Sequence, residues 1–182
     1  MAKPEAPLPV KLFSGVLFVN GEKLSRAREL LIDAFGEIDF ASKAFEFQPA
    51  EYYEPEMGGP IRRTFYSFRN LIDPADLSVC KLRTNGIEDE LQENERRTVN
   101  IDCGYLDYGK VVLASMKEHN QKIYLGGGVY ADMNLLYEKG RFKPLEWTFP
   151  DFRTGLYNET LLHIRAKYKA ALRRERREKV VG

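Results

Sequence analysis

Four short apolar segments follow one another between residues 97 and 143: Thr98–Ile101, Lys110–Met116, Lys122–Leu125 and Val129–Tyr137. Each is rich in β-branched, leucine or aromatic residues, and Gly, Asn or Asp punctuates the gaps. Such runs read as strands, and their succession predicts an antiparallel meander. Glu138-Lys139-Gly140 is a hairpin-turn candidate before Arg141 and Phe142.

The rest of the chain supplies helices and further strands. Lys11–Asn20 is apolar and predicts a mostly buried strand ending in an Asn20-Gly21 turn. Leu24, Ala27, Leu31 and Phe35 recur at spacings of three and four, which predicts a helix closed by Gly36. Ile38, Phe40, Phe45 and Phe47 suggest strand character with a bend near Ser42. Residues 49–64 contain three prolines and the Gly58-Gly59 pair, and predict a long ordered loop. Asp73-Pro74 is a helix start, followed by Leu77, Cys80, Thr84, Ile87 and Leu91 at helical spacing. Asn85-Gly86 sits inside that pattern and can divide it into two short helices. Residues 144–153 predict a packed loop, and from Tyr157 a final helix carries Leu161, Ile164, Tyr168 and Leu172 on one face. The expected architecture is one α+β domain over residues 1–182. It has a mixed or mostly antiparallel sheet, helices packed on one face and a C-terminal helix. Residues 1–9 form an extended lead-in, and 173–182 a frayed basic helix end.

Composition narrows the class of function. Hydrophobic residues make up 43% and charged residues 30% of the 182, which excludes wholesale disorder. The net charge of +1 advertises neither nucleic acid nor an acidic membrane. No apolar run reaches the roughly 18 residues of a membrane span, and the first residues hold no long apolar core of a secretion signal. The expected location is the cytoplasm, with no membrane partner. Two cysteines, Cys80 and Cys103, make neither a disulfide framework nor a zinc site alone. Composition selects no oligomeric state. Residues 165–182 hold eight basic against two acidic side chains, so this segment carries +6 and the remainder −5. Positive charge at a helix C-terminus complements the macrodipole; RNA contact is the alternative role.

Two segments match phosphate-binding spacings without their chemistry. Gly104-Tyr105-Leu106-Asp107-Tyr108-Gly109-Lys110 fits G-x-x-x-x-G-K, but Val111 stands where a Mg²⁺-binding hydroxyl belongs. A strand-like VVLASM follows in place of a helix. A turn between strands with Lys110 exposed is expected. Gly126-Gly127-Gly128-Val129-Tyr130-Ala131 fits G-x-G-x-x-A, yet strand and turn again follow. A glycine bulge or hairpin corner is expected there, which also lets a ligand approach the backbone closely.

Glu88, Asp102, Asp132 and His119 are candidates for metal binding or acid–base chemistry. Asp102 follows a predicted strand beside Gly104, and Asp132 lies in the strand after the glycine run. If those strands are neighbours, the two carboxylates can share Mg²⁺, which takes few protein oxygens beside phosphate ligands. Otherwise Asp102 caps a turn, Asp132 is an exposed strand residue and His119 an exposed turn residue. With only His119 and His163, no Ser/His/Asp arrangement is supported. Lys81, Thr84, Asn85 and Glu88 fall within two turns, on a face that either lines a pocket or meets solvent. Asn100, Gly104, Tyr105, Lys117 and the glycines Gly126, Gly127 and Gly128 complete the candidate ligand-binding set. Arg62, Arg63, Arg69, Arg83, Arg96, Arg97, Lys110 and Lys117 make an anion site where several converge. Tyr52, Tyr53, Tyr105, Tyr124, Tyr130 and Trp147 either stack a base or fill the core.

The segment Asn100-Ile101-Asp102-Cys103-Gly104-Tyr105-Leu106 resembles the N-[LI]-D-P-G-Y-L hallmark of a small prokaryotic family, domain of unknown function 4416. Further matching pieces are Phe65–Phe68 with Leu71–Pro74, Lys81–Asn85, Lys117 with His119 and Lys122–Leu125, and Trp147–Phe152. Together they span nearly the whole chain. Cys103 replaces the usual Pro, which relaxes a turn, and Asp132 stands where Glu is expected. The resemblance implies a single cytoplasmic domain; members are sometimes labelled GTP-binding proteins, without a mechanism. The function expected is binding of, or action on, a phosphate-bearing small molecule such as a nucleotide, with Mg²⁺ as the accompanying ion. The alternatives are an RNA-associated module using the basic C-terminal helix and a non-catalytic protein-interaction domain.

Overall fold

A computed structural model describes residues 3–48 and 50–181; the expectations for residues 1, 2, 49 and 182 lie outside them. The first strand, β1 (Val10–Phe18), is buried along its whole length. Asn20 does more than turn the chain: its side chain accepts the Glu22 N–H at 2.7 Å and caps α1 (Gly21–Phe35). Gly36, at φ +86°, closes that helix through a hydrogen bond to the Ile32 carbonyl. Strands β2 (Ile38–Ala41) and β3 (Phe45–Glu46) flank the bend at Ser42. A single 3₁₀ turn (Ala50–Tyr52) and the short α2 (Glu54–Met57) follow.

The predicted loop over 49–64 ends earlier than expected, because β4 (Arg62–Ile72) begins there. This strand lies between β1 on one side and β2 and β3 on the other. Asp73 caps the Ala75 N–H at 2.8 Å, and a 3₁₀ turn (Pro74–Asp76) opens α3 (Leu77–Glu90). That helix is continuous, so Asn85-Gly86 does not divide it. The meander follows as β5 (Val99–Leu106), β6 (Lys110–Ser115), β7 (Ile123–Gly126), β8 (Val129–Glu138) and β9 (Arg141–Pro144). Lys139 and Gly140, both at positive φ, turn the β8–β9 hairpin. The segment 144–153 contains α4 (Pro150–Arg153), and α5 (Asn158–Val181) ends the described chain.

Among the described residues, nine strands form one antiparallel sheet, ordered β2-β4-β1-β5-β6-β8-β7, with β3 beside β4 and β9 beside β8. Alternation along the strands divides the core into two layers. Leu12, Val16, Phe68, Ile101, Cys103 and Val112 meet α1 and α3 on one face. Phe13, Phe65, Val111, Leu113 and Leu135 meet Tyr157, Leu161, Ile164, Tyr168 and Leu172 on the other. Helices α1 and α3 share one face as expected, and the C-terminal helix covers the opposite one. Cys103 is fully buried within β5 rather than in a turn. Among the described residues, no helix is long and apolar enough to cross a membrane.

Candidate functional site

Strands β5 and β6 pair only where Gly104–Leu106 meet Val111–Leu113. Beyond Gly104 they part, while β5 stays paired to β1 across its whole length. The freed edge of β5 would leave buried backbone groups without partners, which is costly. Helix α3 supplies them. Lys81 Nζ donates to the Ile101 carbonyl at 3.0 Å, and Glu88 Oε1 accepts the Ile101 N–H at 2.6 Å. The two side chains, two turns apart, replace one rung of the missing ladder and hold the split open. They lie 3.8 Å from each other, and burial pushes the Glu88 carboxyl above its ordinary range against the pull of Lys81. Thr84 is fully buried and donates to the Lys81 carbonyl at 2.9 Å. The predicted polar face of this helix therefore faces inward.

The split opens into a cleft of about 500 Å³. Its floor is Lys81, Asn85 and Glu88; one wall is Asn100 and Asp102 on β5, and the other is Leu113–Ser115 of β6 with Lys117 and Lys122 after it. Tyr52, Tyr53 and Phe149 close the top and continue into a second lobe of about 250 Å³. A polar chain runs along the β5 wall. Arg97 donates to Asn100 Oδ1 at 2.6 Å, Asn100 to Asp102 Oδ1 at 3.1 Å, and Arg63 to Asp102 Oδ2 at 2.7 Å. Arg63 is 3% exposed, has Asp151 at 3.3 Å from Nε, and lies among the rings of Phe47, Phe65, Phe152 and Tyr157. Two carboxylates thus share one buried guanidinium, and burial pushes Asp151 upward.

The β6 wall is built differently. Lys122 Nζ donates to Ser115 Oγ at 2.8 Å and lies 3.6 Å from Asp132. Lys117 Nζ donates to the Tyr52 hydroxyl at 2.5 Å and stands 4.7 Å from the centre of that ring. It has no carboxylate partner among the described residues, and it draws the Tyr52 phenol below its ordinary range.

Of the residues proposed from sequence, Lys81, Asn85, Glu88, Asn100, Asp102 and Lys117 line this cleft. Others go elsewhere. Strand β6 separates the strands of Asp102 and Asp132, so the two carboxylates are not neighbours. Asp132 is 1% exposed behind Lys122, and burial raises its carboxyl. Among the described residues, no three His, Cys, Asp or Glu side chains converge as metal ligands. His119 is exposed in the β6–β7 turn beside Gln121. Gly126, Gly127 and Gly128, at φ +104°, +61° and +76°, form the β7–β8 hairpin corner. Gly104 is a packing position, and Tyr105 belongs to the α1–α3 side of the core. Arg63 and Arg97 join Lys117 at the cleft, whereas Arg62, Arg69, Arg83, Arg96 and Lys110 lie outside it. Ser115, Lys122, Phe149 and Asp151 were not singled out by their chemistry. Lys122, Phe149 and Asp151 do lie in the short stretches that carry the resemblance, which was the available signal.

The family model for the domain of unknown function DUF4416 matches residues 8–168. The chain belongs to this family. The match includes every residue of the cleft and stops within α5, before the arginine-rich turns. No curated protein and no solved structure matches the chain.

Proposed function

We propose that the β5–β6 cleft binds a phosphate-bearing small molecule such as a nucleotide, in a cytoplasmic protein. The observation that carries this is Lys117, an ammonium held at the cleft by a tyrosine instead of a carboxylate. An anionic ligand gains its charge without displacing an ion pair. Tyr52, Tyr53 and Phe149 offer faces for a planar group, and Asn85 and Asn100 offer polar contacts. Asp102, whose side chain is 29% exposed, is the carboxylate that would hold Mg²⁺ together with ligand phosphates, through the lone pairs that Arg63 and Asn100 leave free. Asp132 stays with Lys122 and supports that wall.

The test is calorimetric titration of the full chain with nucleotides and sugar phosphates, with and without Mg²⁺. Lys117→Ala is expected to weaken binding about tenfold, equivalent to about 1.4 kcal/mol. Equal affinity in wild type and Lys117→Ala, or no binding by either ligand class, refutes the proposal. Exposed Arg173, Arg174, Arg176 and Arg177 on α5 favour a second function, RNA association. It predicts affinity that falls steeply with salt and is lost on deleting residues 173–182.

A further inference from the structure

A separate cavity of about 520 Å³ lies between β9 and the turn joining α4 to α5. Its ionisable lining consists of Arg141, Lys143 and Arg153, with no carboxylate. Arg141 and Lys143 flank the buried Phe142 on β9 and share one face of that strand, with Glu138 opposite Arg141 on β8; Arg153 comes from the α4–α5 side and lines the same cavity. Arg153 is anchored by donating through Nη2 to the Glu146 and Thr148 carbonyls, which orients its guanidinium and leaves other N–H groups available. Asn158 accepts the Phe142 N–H through Oδ1 at 3.0 Å, which leaves its NH₂ group as the free end of that amide. Lys143 is paired with Glu138 at 2.6 Å, outside the lining; Arg141 and Arg153 have no carboxylate partner among the described residues.

The charged and amide side chains of this cavity thus present donors and positive charge. Its complement is a group made only of acceptors and negative charge. We infer that this cavity is a second binding site, distinct from the central cleft, for a phosphate-type oxyanion. Two guanidiniums can engage such an anion through paired N–H groups, while Lys143, already paired with Glu138, stands at the rim. The backbone that carries the cations is fixed by a paired strand and a hydrogen-bonded turn, and Arg153 is held in place, so a ligand has mainly the Arg141 side chain to order.

The test is an amide-resolved NMR titration of the full chain with pyrophosphate at constant ionic strength. Saturable shifts are expected at Arg141, Thr154, Gly155 and Asn158. Arg141→Gln combined with Lys143→Gln is expected to weaken that affinity by about tenfold or more. Lys117→Ala should leave these shifts in place, so failure of this site and failure of the central cleft are read separately. Absence of shifts at these amides overturns the inference, as does an undiminished response in the folded double variant. Equal shifts with sodium chloride also overturn it. A short single-stranded RNA that moves these amides when pyrophosphate does not rules out a small-oxyanion site.

Discussion

Gly104 stands at the last residue pair before β5 and β6 part. A Cβ there would lie 2.6 Å from the Val112 carbonyl oxygen and 2.8 Å from Leu113 Cδ2. The glycine in the G-x-x-x-x-G-K spacing therefore serves close strand packing, and a phosphate cradle is not needed to explain it. Gly104→Ala is expected to destabilise the fold by about 1–3 kcal/mol, because backbone must move to make room. Urea unfolding measures this, and a change under about 0.5 kcal/mol, typical of unconstrained surface sites, would contradict the packing account. Its neighbour Cys103 faces the other layer. Complete burial drives its thiol far above the ordinary range, and Cys80 is pushed up to about 11, so neither is a reactive thiolate at neutral pH. Lys81 and Glu88 carry the opposite lesson: as isolated helical residues they look solvent-directed, and only the gap in the sheet gives them inward partners.

At the scale of elements, α3 both covers the core and patches the split sheet. Leu77, Cys80, Thr84, Ile87 and Leu91 were legible as one stripe because helical spacing alone places them together. The same pattern contained a false break. Gly86 is exposed within the helix, and an added Cβ would meet nothing within 4 Å. Gly86→Ala is therefore expected to stabilise the protein by about 0.5–1 kcal/mol, by reducing the freedom of the unfolded chain. A lower thermal midpoint for this variant would show that Gly86 carries strain invisible in its surroundings. Strand β4 shows the reverse failure. Its sequence, RRTFYSFRNLI, interleaves arginines with aromatics and follows a proline-rich loop, so it lacks clean alternation. Arg63 is the reason: on a strand packed on both faces, this cation is buried because Asp102 and Asp151 neutralise it.

Across the whole molecule, buried charge sets the response to pH. Burial raises Glu88, Asp132 and Asp151 above the ordinary carboxylate range, against opposing contributions from Lys81, Lys122 and Arg63. An acid raised in this way keeps its proton in the folded state after the unfolded chain has released it. Its contribution is complete below about pH 4, the unfolded carboxylate value, and is lost as pH rises through the folded values. Asp132→Asn is expected to flatten that part of the decline, measured by urea unfolding from about pH 4 to 7. An unchanged slope in the variant would refute the assignment. Local order in the chain determined most of the elements: the meander, the first strand and helix, α3 and the stripe on α5 all follow from periodicity and caps between near neighbours. The same local signals placed Lys81, Asn85 and Glu88 on one face. Only the tertiary structure decided where β4 inserts, that β6 separates Asp102 from Asp132, and that the sheet opens beside Ile101. These outcomes depend on which distant strands pair and which buried charges find partners. Short-range spacing specifies an element's faces; the free energy of pairing and burial selects what those faces meet.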